Sequence, residues 1–128
     1  MNVVEIFKVL GDETRIRIIH LLERQDCCVG EIETILGISQ SNASRHLNRL
    51  KQVQVITFNK EAQWVYYRLN QQFIKENELL YQYLKGRFKD LPECKNDLRR
   101  LEKYRNSGLT CQDLRENKDK AKNIGGKK

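Results

Sequence analysis

Four cysteines are the most reactive side chains in this chain of 128 residues. They are Cys27, Cys28, Cys94 and Cys111. Each closely follows a residue that can begin a helix, namely Asp26, Pro92 or Thr110. Because the positive end of a helix favours thiolate, these side chains are competent as ligands for soft metals and as redox thiols. The sequence has no CxxC pair, which argues against a zinc ribbon or a zinc finger.

A second group of chemically useful side chains lies in residues 39–52, which are predicted to form a helix capped by Ser39. Ala43, Leu47 and Leu50 recur at helical spacing and give this helix one apolar face. The other faces carry Gln40, Ser41, Asn42, Ser44, Arg45, His46 and Arg49. Because a solvated helix face usually mixes acids with bases, this acid-free surface favours contact with the base edges and phosphates of DNA.

Composition and charge limit the remaining possibilities. No apolar run approaches the roughly 20 residues of a membrane span, and the N-terminus lacks the pattern of a secretory signal. We therefore expect a cytoplasmic protein whose cysteines are thiols and not structural disulfides. The net charge is +7, but residues 115–128 hold six bases and two acids, so +4 of it lies there. Overall basicity is thus weaker evidence for DNA binding than the acid-free helix.

Capping residues and apolar periodicity predict three helices before the DNA-contacting one. The first is Val3–Leu10, ended by Gly11. Asp12 is the expected cap of the second helix and Asp26 of the third. Gly37 is expected to end the third helix with a positive φ, which leads into a tight turn.

The hydrophobic period then changes from helical to alternating. Residues 55–58 and Trp64–Leu69 are predicted to be two strands, joined through the five residues 59–63. A hairpin directly after a helix-turn-helix is a wing. It would be able to lay Lys60 or Arg68 against the DNA backbone or minor groove.

A long helix is predicted over about residues 71–89, with a seam near 3.5-residue spacing that suits pairing with another helix. Pro92 begins a further helix that ends near Gly108. Thr110 and Asp113 resemble a capping box for a last short helix.

The predicted fold class is mainly α with a small β-hairpin (α+β), a dimeric winged helix-turn-helix. We expect residues 1–91 to be the DNA-binding and dimerisation domain. Residues 92–117 are expected to be a helical extension with Cys94 and Cys111, and residues 118–128 a disordered basic tail.

Three stretches together resemble the ArsR/SmtB family of bacterial metal- and metalloid-responsive repressors. They are LGDETRIRIIHLL (residues 10–22), CVGEIETILGISQSNASRHLNRLKQVQVI (residues 28–56) and WVYYRLN (residues 64–70). The resemblance covers roughly residues 5–75. It implies a homodimer, a recognition helix at residues 39–52, and binding to an imperfect inverted repeat in double-stranded promoter DNA. It also implies release from the DNA when an inducer binds.

The inducer site departs from the arsenical repressors that the chain resembles. They typically carry CxC at the start of the third helix, and here Cys28 matches the first cysteine while Gly30 stands in place of the second. The resemblance implies As(III) or Sb(III) as inducer, and no organic cofactor. We predict the ligands to be Cys28, Cys94 and Cys111, with Cys27 as an alternative, because trivalent metalloids take two or three thiolates.

Other functions stay open at this point. The signal could be thiol oxidation, persulfidation or a soft divalent metal such as Cd(II). A thiol enzyme is disfavoured, since no CxxC pair, glycine-rich phosphate loop or histidine accompanies the cysteines, so we predict no enzymatic activity. An interaction module that uses the long helix is a third alternative.

Overall fold

The helices and strands follow the predicted order. The computed structural model describes residues 2–116 and Ile124. Its elements are α1 (Val3–Leu10), α2 (Glu13–Arg24), α3 (Val29–Leu36), α4 (Gln40–Gln52), β1 (Ile56–Glu61), β2 (Trp64–Leu69), α5 (Gln71–Glu76), α6 (Glu78–Arg87), α7 (Pro92–Ser107) and α8 (Cys111–Glu116). A 3₁₀ turn, Phe88–Asp90, lies between α6 and α7. The predicted winged helix-turn-helix fold, mainly α with one β-hairpin, is confirmed.

Local capping signals are also confirmed. The carboxylate of Asp12 accepts a hydrogen bond from the backbone N–H of Arg15 at 3.0 Å, which caps α2. Gly37 has φ 68°, a left-handed conformation that ends α3 and turns the chain toward α4. The hydroxyl of Ser39 accepts from the backbone N–H of Asn42 at 3.2 Å, which caps α4. The helix-turn-helix is therefore set largely by residues next to each turn.

The predicted cap of α3, Asp26, is wrong. Cys27 exchanges two backbone hydrogen bonds with Tyr67 of β2, so the chain is still extended there. The helix begins one residue after Cys28, and Glu31 accepts a hydrogen bond from the Cys28 backbone N–H at 2.9 Å. Asp26 instead forms an ion pair with Arg68 at 2.9 Å. The start of α3 is thus attached directly to the wing.

The wing hairpin is tighter than predicted. Glu61 still pairs with Trp64, so only Ala62 and Gln63 connect the strands. Ala62 takes a positive φ of 57°, as the first central residue of a two-residue hairpin turn requires. The strand pairing therefore continues three residues further along β1 than the alternating pattern indicated.

The predicted long helix of residues 71–89 is also wrong in detail, because it is divided at Asn77. The backbone of Asn77 leaves the helical region at φ −130°, and its side-chain amide donates to the carbonyl of Phe73 at 3.0 Å. The chain restarts as α6 and then tightens into the 3₁₀ turn. Asparagine competes with the helix for backbone hydrogen bonds in this way, and the apolar spacing did not reveal it.

The core lies between α2, α3, α4 and α7. Its most deeply buried side chains include Ile18, Ile19, Ile32, Ile35 and Leu47. Ile124 is also buried, whereas the rest of the predicted basic tail lies outside the described residues. The three-part division of the chain stays a prediction. Among the described helices, none is long and apolar enough to span a bilayer.

Candidate nucleic-acid interface and cysteine site

The predicted DNA-contacting surface lies on the side of α4 that faces away from the core. Ala43, Leu47 and Leu50 are buried, as their spacing predicts. The exposed side chains are Gln40, Ser41, Asn42, Ser44, Arg45 and Arg49. No carboxylate occurs in residues 39–57, so this surface presents amides, hydroxyls and guanidinium groups without a competing acid. Such groups can bond both base edges and phosphates.

Neighbouring amides hold the two arginines of this surface. Arg45 donates to the side-chain oxygen of Asn42 at 3.2 Å, and Arg49 donates to that of Gln52 at 3.0 Å. Lys60 is exposed on the wing. Arg68 is also exposed, but its ion pair with Asp26 occupies one side of its guanidinium group.

His46 differs from the other predicted DNA-contacting residues, because its side chain is only 5% exposed. Its Nδ1 lies 3.0 Å from a guanidinium nitrogen of Arg15, and its Nε2 lies 3.4 Å from one of Arg45. Burial lowers its pKa, which favours a neutral ring between the two cations. His46 thus lies buried between two arginines, unlike the exposed residues of α4, and its contact with DNA stays a prediction.

Cys28 and Cys111 are joined by a disulfide, which corrects the expectation that all four cysteines are thiols. Cys28 is the N-cap residue of α3, and Cys111 is the first residue of α8. The predicted capping box of α8 is confirmed: the backbone N–H of Thr110 donates to Asp113 at 2.9 Å, and that of Asp113 donates to the Thr110 hydroxyl at 3.2 Å. The cap therefore begins α8 at Cys111, opposite Cys28.

Glu31 and two tyrosines surround the sulfur pair. A carboxylate oxygen of Glu31 lies within 4.8 Å of both sulfurs, yet Glu31 is already engaged. It accepts from the Cys28 N–H at 2.9 Å and from the Tyr104 hydroxyl at 2.7 Å. The hydroxyl of Tyr66 lies 3.5 Å from the Cys111 sulfur. Sequence reasoning missed Glu31, although its position three residues after Cys28 is the spacing of a capping box.

The other two cysteines lie elsewhere. Cys27 is fully buried against the wing, and Cys94 lines a separate depression near His20. Burial raises the pKa of the Cys27 thiol far above its usual range and that of Cys94 to about 11. The expectation that Cys27 and Cys94 are thiolates is therefore wrong, because burial disfavours the charged form of both thiols. Neither sulfur belongs to the group formed by Cys28, Glu31 and Cys111.

A cavity of about 720 Å³ adjoins the disulfide between α3, β2 and α8. Both Cys28 and Cys111 line it. Its apolar side chains are Val29, Ile38, Trp64, Val65, Tyr67 and Leu114. Arg115 lies over the Trp64 ring, with its guanidinium carbon 5.5 Å from the ring centre. The sulfur pair thus opens onto a space of the size that small ligands occupy.

Comparison with known proteins places the chain in a family. Residues 12–57 match the model described as "Bacterial regulatory protein, arsR family". The chain is 38% identical over 72 residues to the transcriptional repressor SdpR of Bacillus subtilis, a match that covers 56% of this chain and 80% of SdpR.

Two further relatives are named for resistance to toxic elements. The Staphylococcus aureus cadmium resistance transcriptional regulatory protein CadC homolog is 35% identical over 77 residues, 59% of this chain and 64% of that protein. The Escherichia coli arsenical resistance operon repressor is 41% identical over 68 residues, 52% of this chain and 58% of that protein. The chain thus spans less than two thirds of the length of these two relatives.

Solved structures agree with the fold. The transcriptional regulator HlyU from Vibrio vulnificus is 37% identical, with a TM-score of 0.53 over 62% of this chain and 84% of that one. The homodimeric winged helix-turn-helix DNA-binding domain from Mycobacterium bovis is 25% identical, with a TM-score of 0.58 over 69% and 82% of the two chains. The chain therefore belongs to the ArsR family of bacterial regulatory proteins, whose fold is that of DNA-binding transcriptional regulators.

Proposed function

We propose that this chain is a dimeric, cytoplasmic transcriptional repressor that leaves its operator when As(III) or Sb(III) binds the thiolates of Cys28 and Cys111. The observation that carries the proposal is the position of these two cysteines. They bring two sulfurs together between the first helix of the helix-turn-helix and the last described helix. After reduction, the pair offers two soft ligands at one point, as a trivalent metalloid requires.

The DNA-binding part of the proposal rests on the exposed surface of α4. Gln40, Ser41, Asn42 and Ser44 lie near the start of the helix, where the backbone N–H groups also favour phosphate. Arg45 and Arg49 continue the same exposed surface. The exposed wing residues Lys60 and Arg68 would contact the flanking backbone.

A dimer is supported by apolar side chains on the outside of α1 and α6. Val3, Val4 and Phe7 are 57% to 61% exposed on α1, and Leu79 and Tyr83 are 88% and 66% exposed on α6. A monomer would leave these side chains in water, whereas a second copy would cover them. Two recognition helices would then read the halves of an imperfect inverted repeat about one helical turn apart.

Coupling between inducer and DNA follows from where Cys28 lies. It is the cap of α3, and α3 leads through Gly37 directly into α4. A metalloid that holds Cys28 at a fixed distance from Cys111 would move the start of α3 relative to α8. The backbone of Cys27 pairs with Tyr67, so the same displacement would reach the wing.

The ligand set proposed here is smaller than the three cysteines predicted from sequence. Cys94 lies beside His20, away from the Cys28–Cys111 pair, and Cys27 directs its sulfur toward the Gln25 carbonyl at 3.7 Å. The relatives named for arsenic and cadmium resistance support a metal or metalloid inducer in general. The two adjacent sulfurs support a soft one.

A second candidate signal is thiol oxidation, and the disulfide itself favours it. In that case the reduced and oxidised states of Cys28 and Cys111 would be the two signalling states. A persulfide on either cysteine would use the same pair.

Fluorescence anisotropy of a labelled promoter duplex tests the proposal. The reduced protein is titrated separately with arsenite, antimonite, Cd(II) and an oxidant. We expect arsenite and antimonite to release the DNA, and Cys28→Ser and Cys111→Ser to abolish that release. Cys94→Ser is the matched control and should respond as the parent does. Release by oxidant alone, with no effect of either metalloid, would establish the second candidate instead.

A further inference from the structure

The sulfur pair offers two thiolates, but trivalent arsenic forms three bonds. Within the Cys28, Glu31 and Cys111 group, the third residue is a carboxylate, a hard ligand with little affinity for a soft metalloid. Both oxygens of Glu31 already accept hydrogen bonds, one from Cys28 and one from Tyr104. Neither Cys27 nor Cys94 joins the group. Within one chain, the third substituent on arsenic therefore comes with the ligand.

The space beside the pair indicates what that substituent is. The cavity of about 720 Å³ is lined by Cys28 and Cys111 themselves, and most of its other residues are apolar. Ile38, Trp64 and Leu114 are among them. A hydroxide on arsenic would gain little from these side chains, whereas a hydrocarbon group would be removed from water by them.

We propose that the site selects trivalent organoarsenicals of the form R–As(OH)₂, with R an apolar group such as phenyl that enters this cavity. The inference rests on the function proposed above and specifies its ligand class. Arsenic would be bound by Cys28 and Cys111, and its one bond to carbon would point between α3, β2 and α8. An aromatic R would pack against Trp64 and Tyr67.

The binding reaction involves no change of oxidation state. A cellular dithiol, or a phosphine in the experiment, first supplies two electrons that open the Cys28–Cys111 disulfide to two thiols. Each thiol then forms a sulfur–arsenic bond while one arsenic–hydroxide bond breaks. The thiol proton leaves with the hydroxide as water, so one ligand releases two waters and arsenic stays trivalent.

Trp64 makes the test direct, because it is the only tryptophan of the chain and it lines the cavity. Reduced full-length protein is titrated with phenylarsonous acid and with arsenite, and its intrinsic fluorescence is followed. We expect the phenyl compound to bind at least about tenfold more tightly, from the burial of its ring. Equal affinities, or tighter binding of arsenite, would overturn the inference.

A substitution in the cavity locates the organic group. Val65→Phe narrows the cavity from β2, and aromatic residues are accepted in strands. We expect it to weaken phenylarsonous acid about tenfold and to leave arsenite unchanged. Thr57→Phe is the matched control, since it places the same ring at an exposed position on β1 that does not line this cavity. A Val65→Phe variant with unchanged affinity for the phenyl compound would overturn the placement of R in the cavity.

A third cysteine sulfur in the site should reverse the preference for phenylarsonous acid over arsenite. A Cβ atom at Gly30 would lie 3.6 Å from the Leu114 Cβ and 3.9 Å from the Cys28 sulfur, which are ordinary contacts. Gly30→Cys is therefore expected to tighten arsenite binding by at least about tenfold, while Gly30→Ser, of the same size, should not. Equal arsenite affinity in the two variants would contradict the claim that the native site lacks one thiolate.

The DNA-release assay separates this inference from the proposed function. If arsenite releases the DNA as effectively as phenylarsonous acid, the repressor function stands and the ligand class is wrong. If neither compound releases it, the proposed function fails, and the inference fails with it.

Discussion

Two attachments hold the C-terminal helices against α3, one at each end of that helix. At its end, Arg17 and Arg100 share the carboxylate of Asp97 and donate to the carbonyls of Leu36 and Ile35. At its beginning, Cys28 is bonded to Cys111 of α8. The first attachment is a buried ionic cluster, and the second is one reversible covalent bond.

The difference indicates which end of α3 can respond to a signal. Asp97 is 1% exposed and Arg17 is 9% exposed, so separating the two would leave the buried Arg17 charge without its partner. The cluster therefore holds firmly the end of α3 that leads into Gly37 and α4. The beginning of α3 changes with the chemistry of two sulfurs. A signal at Cys28 would therefore tilt α3 about a fixed end.

Reduction of the disulfide should have the largest effect on stability. The bond joins residues 83 positions apart, and closing such a loop stabilises the folded chain by about 4.5 kcal/mol in the chain-entropy model. We expect urea titrations to give a lower free energy of unfolding for the phosphine-reduced protein by this amount. Cys111→Ser is the control and should unfold identically with and without phosphine. Coincident curves for the oxidised and reduced parent would show that the bond does not stabilise the fold.

Removal of the ionic cluster should cost nearly as much. Asp97→Ala leaves Arg17 buried without its carboxylate, and we expect a loss of about 3–5 kcal/mol in urea unfolding. Asp90→Ala breaks an exposed ion pair with Arg87 and should cost at most about 1 kcal/mol. A similar small loss in both variants would mean that the cluster does not anchor α7.

Tyr104→Phe should have a smaller effect. The Tyr104 hydroxyl donates to Glu31 at 2.7 Å in a buried position, and a hydrogen bond to a charged group contributes about 1.5–3 kcal/mol. The variant should show that loss in the free energy of unfolding. Tyr83→Phe, at a side chain that is 66% exposed, is the control and should leave the free energy of unfolding nearly unchanged. Equal free energies of unfolding for the parent and both variants would show that the hydrogen bond from Tyr104 to Glu31 does not stabilise the fold.

The smallest effect should be a dependence of the free energy of unfolding on pH, caused by His20. Burial, and then the nearby Arg24, lower the pKa of His20. The unfolded chain therefore binds a proton at His20 more readily than the folded chain does. The free energy of unfolding thus has its full value above the usual histidine pKa of about 6.5 and falls as the pH drops below it. His20→Leu should flatten the fall between about pH 7.5 and 5.5, measured by urea unfolding at each pH. An unchanged slope would assign the dependence to His46, whose pKa is also lowered.

Some features near the two ends of α3 could be predicted from the sequence, and others could not. Ser39 and Gly37 were predictable because a cap and a turn depend on neighbours within a few residues. The Cys28–Cys111 pair was not, because nothing local indicates which residues meet across 83 positions. Asn77 was hidden for another reason: the apolar spacing continues across it, while its side chain bonds the backbone instead.

The same disulfide has a mechanical consequence. The bond between Cys28 and Cys111 closes a covalent ring that contains the recognition helix, the wing and the whole of α7. In oxidised protein pulled at its two ends, the force would pass from Cys28 to Cys111 through the sulfurs and would bypass everything between them. The chain inside the ring, 83 residues long, then cannot extend by the roughly 290 Å that it would reach at ~3.5 Å per residue. Reductant would release that length in one step, so a single-molecule stretching trace would record the redox state of one bond.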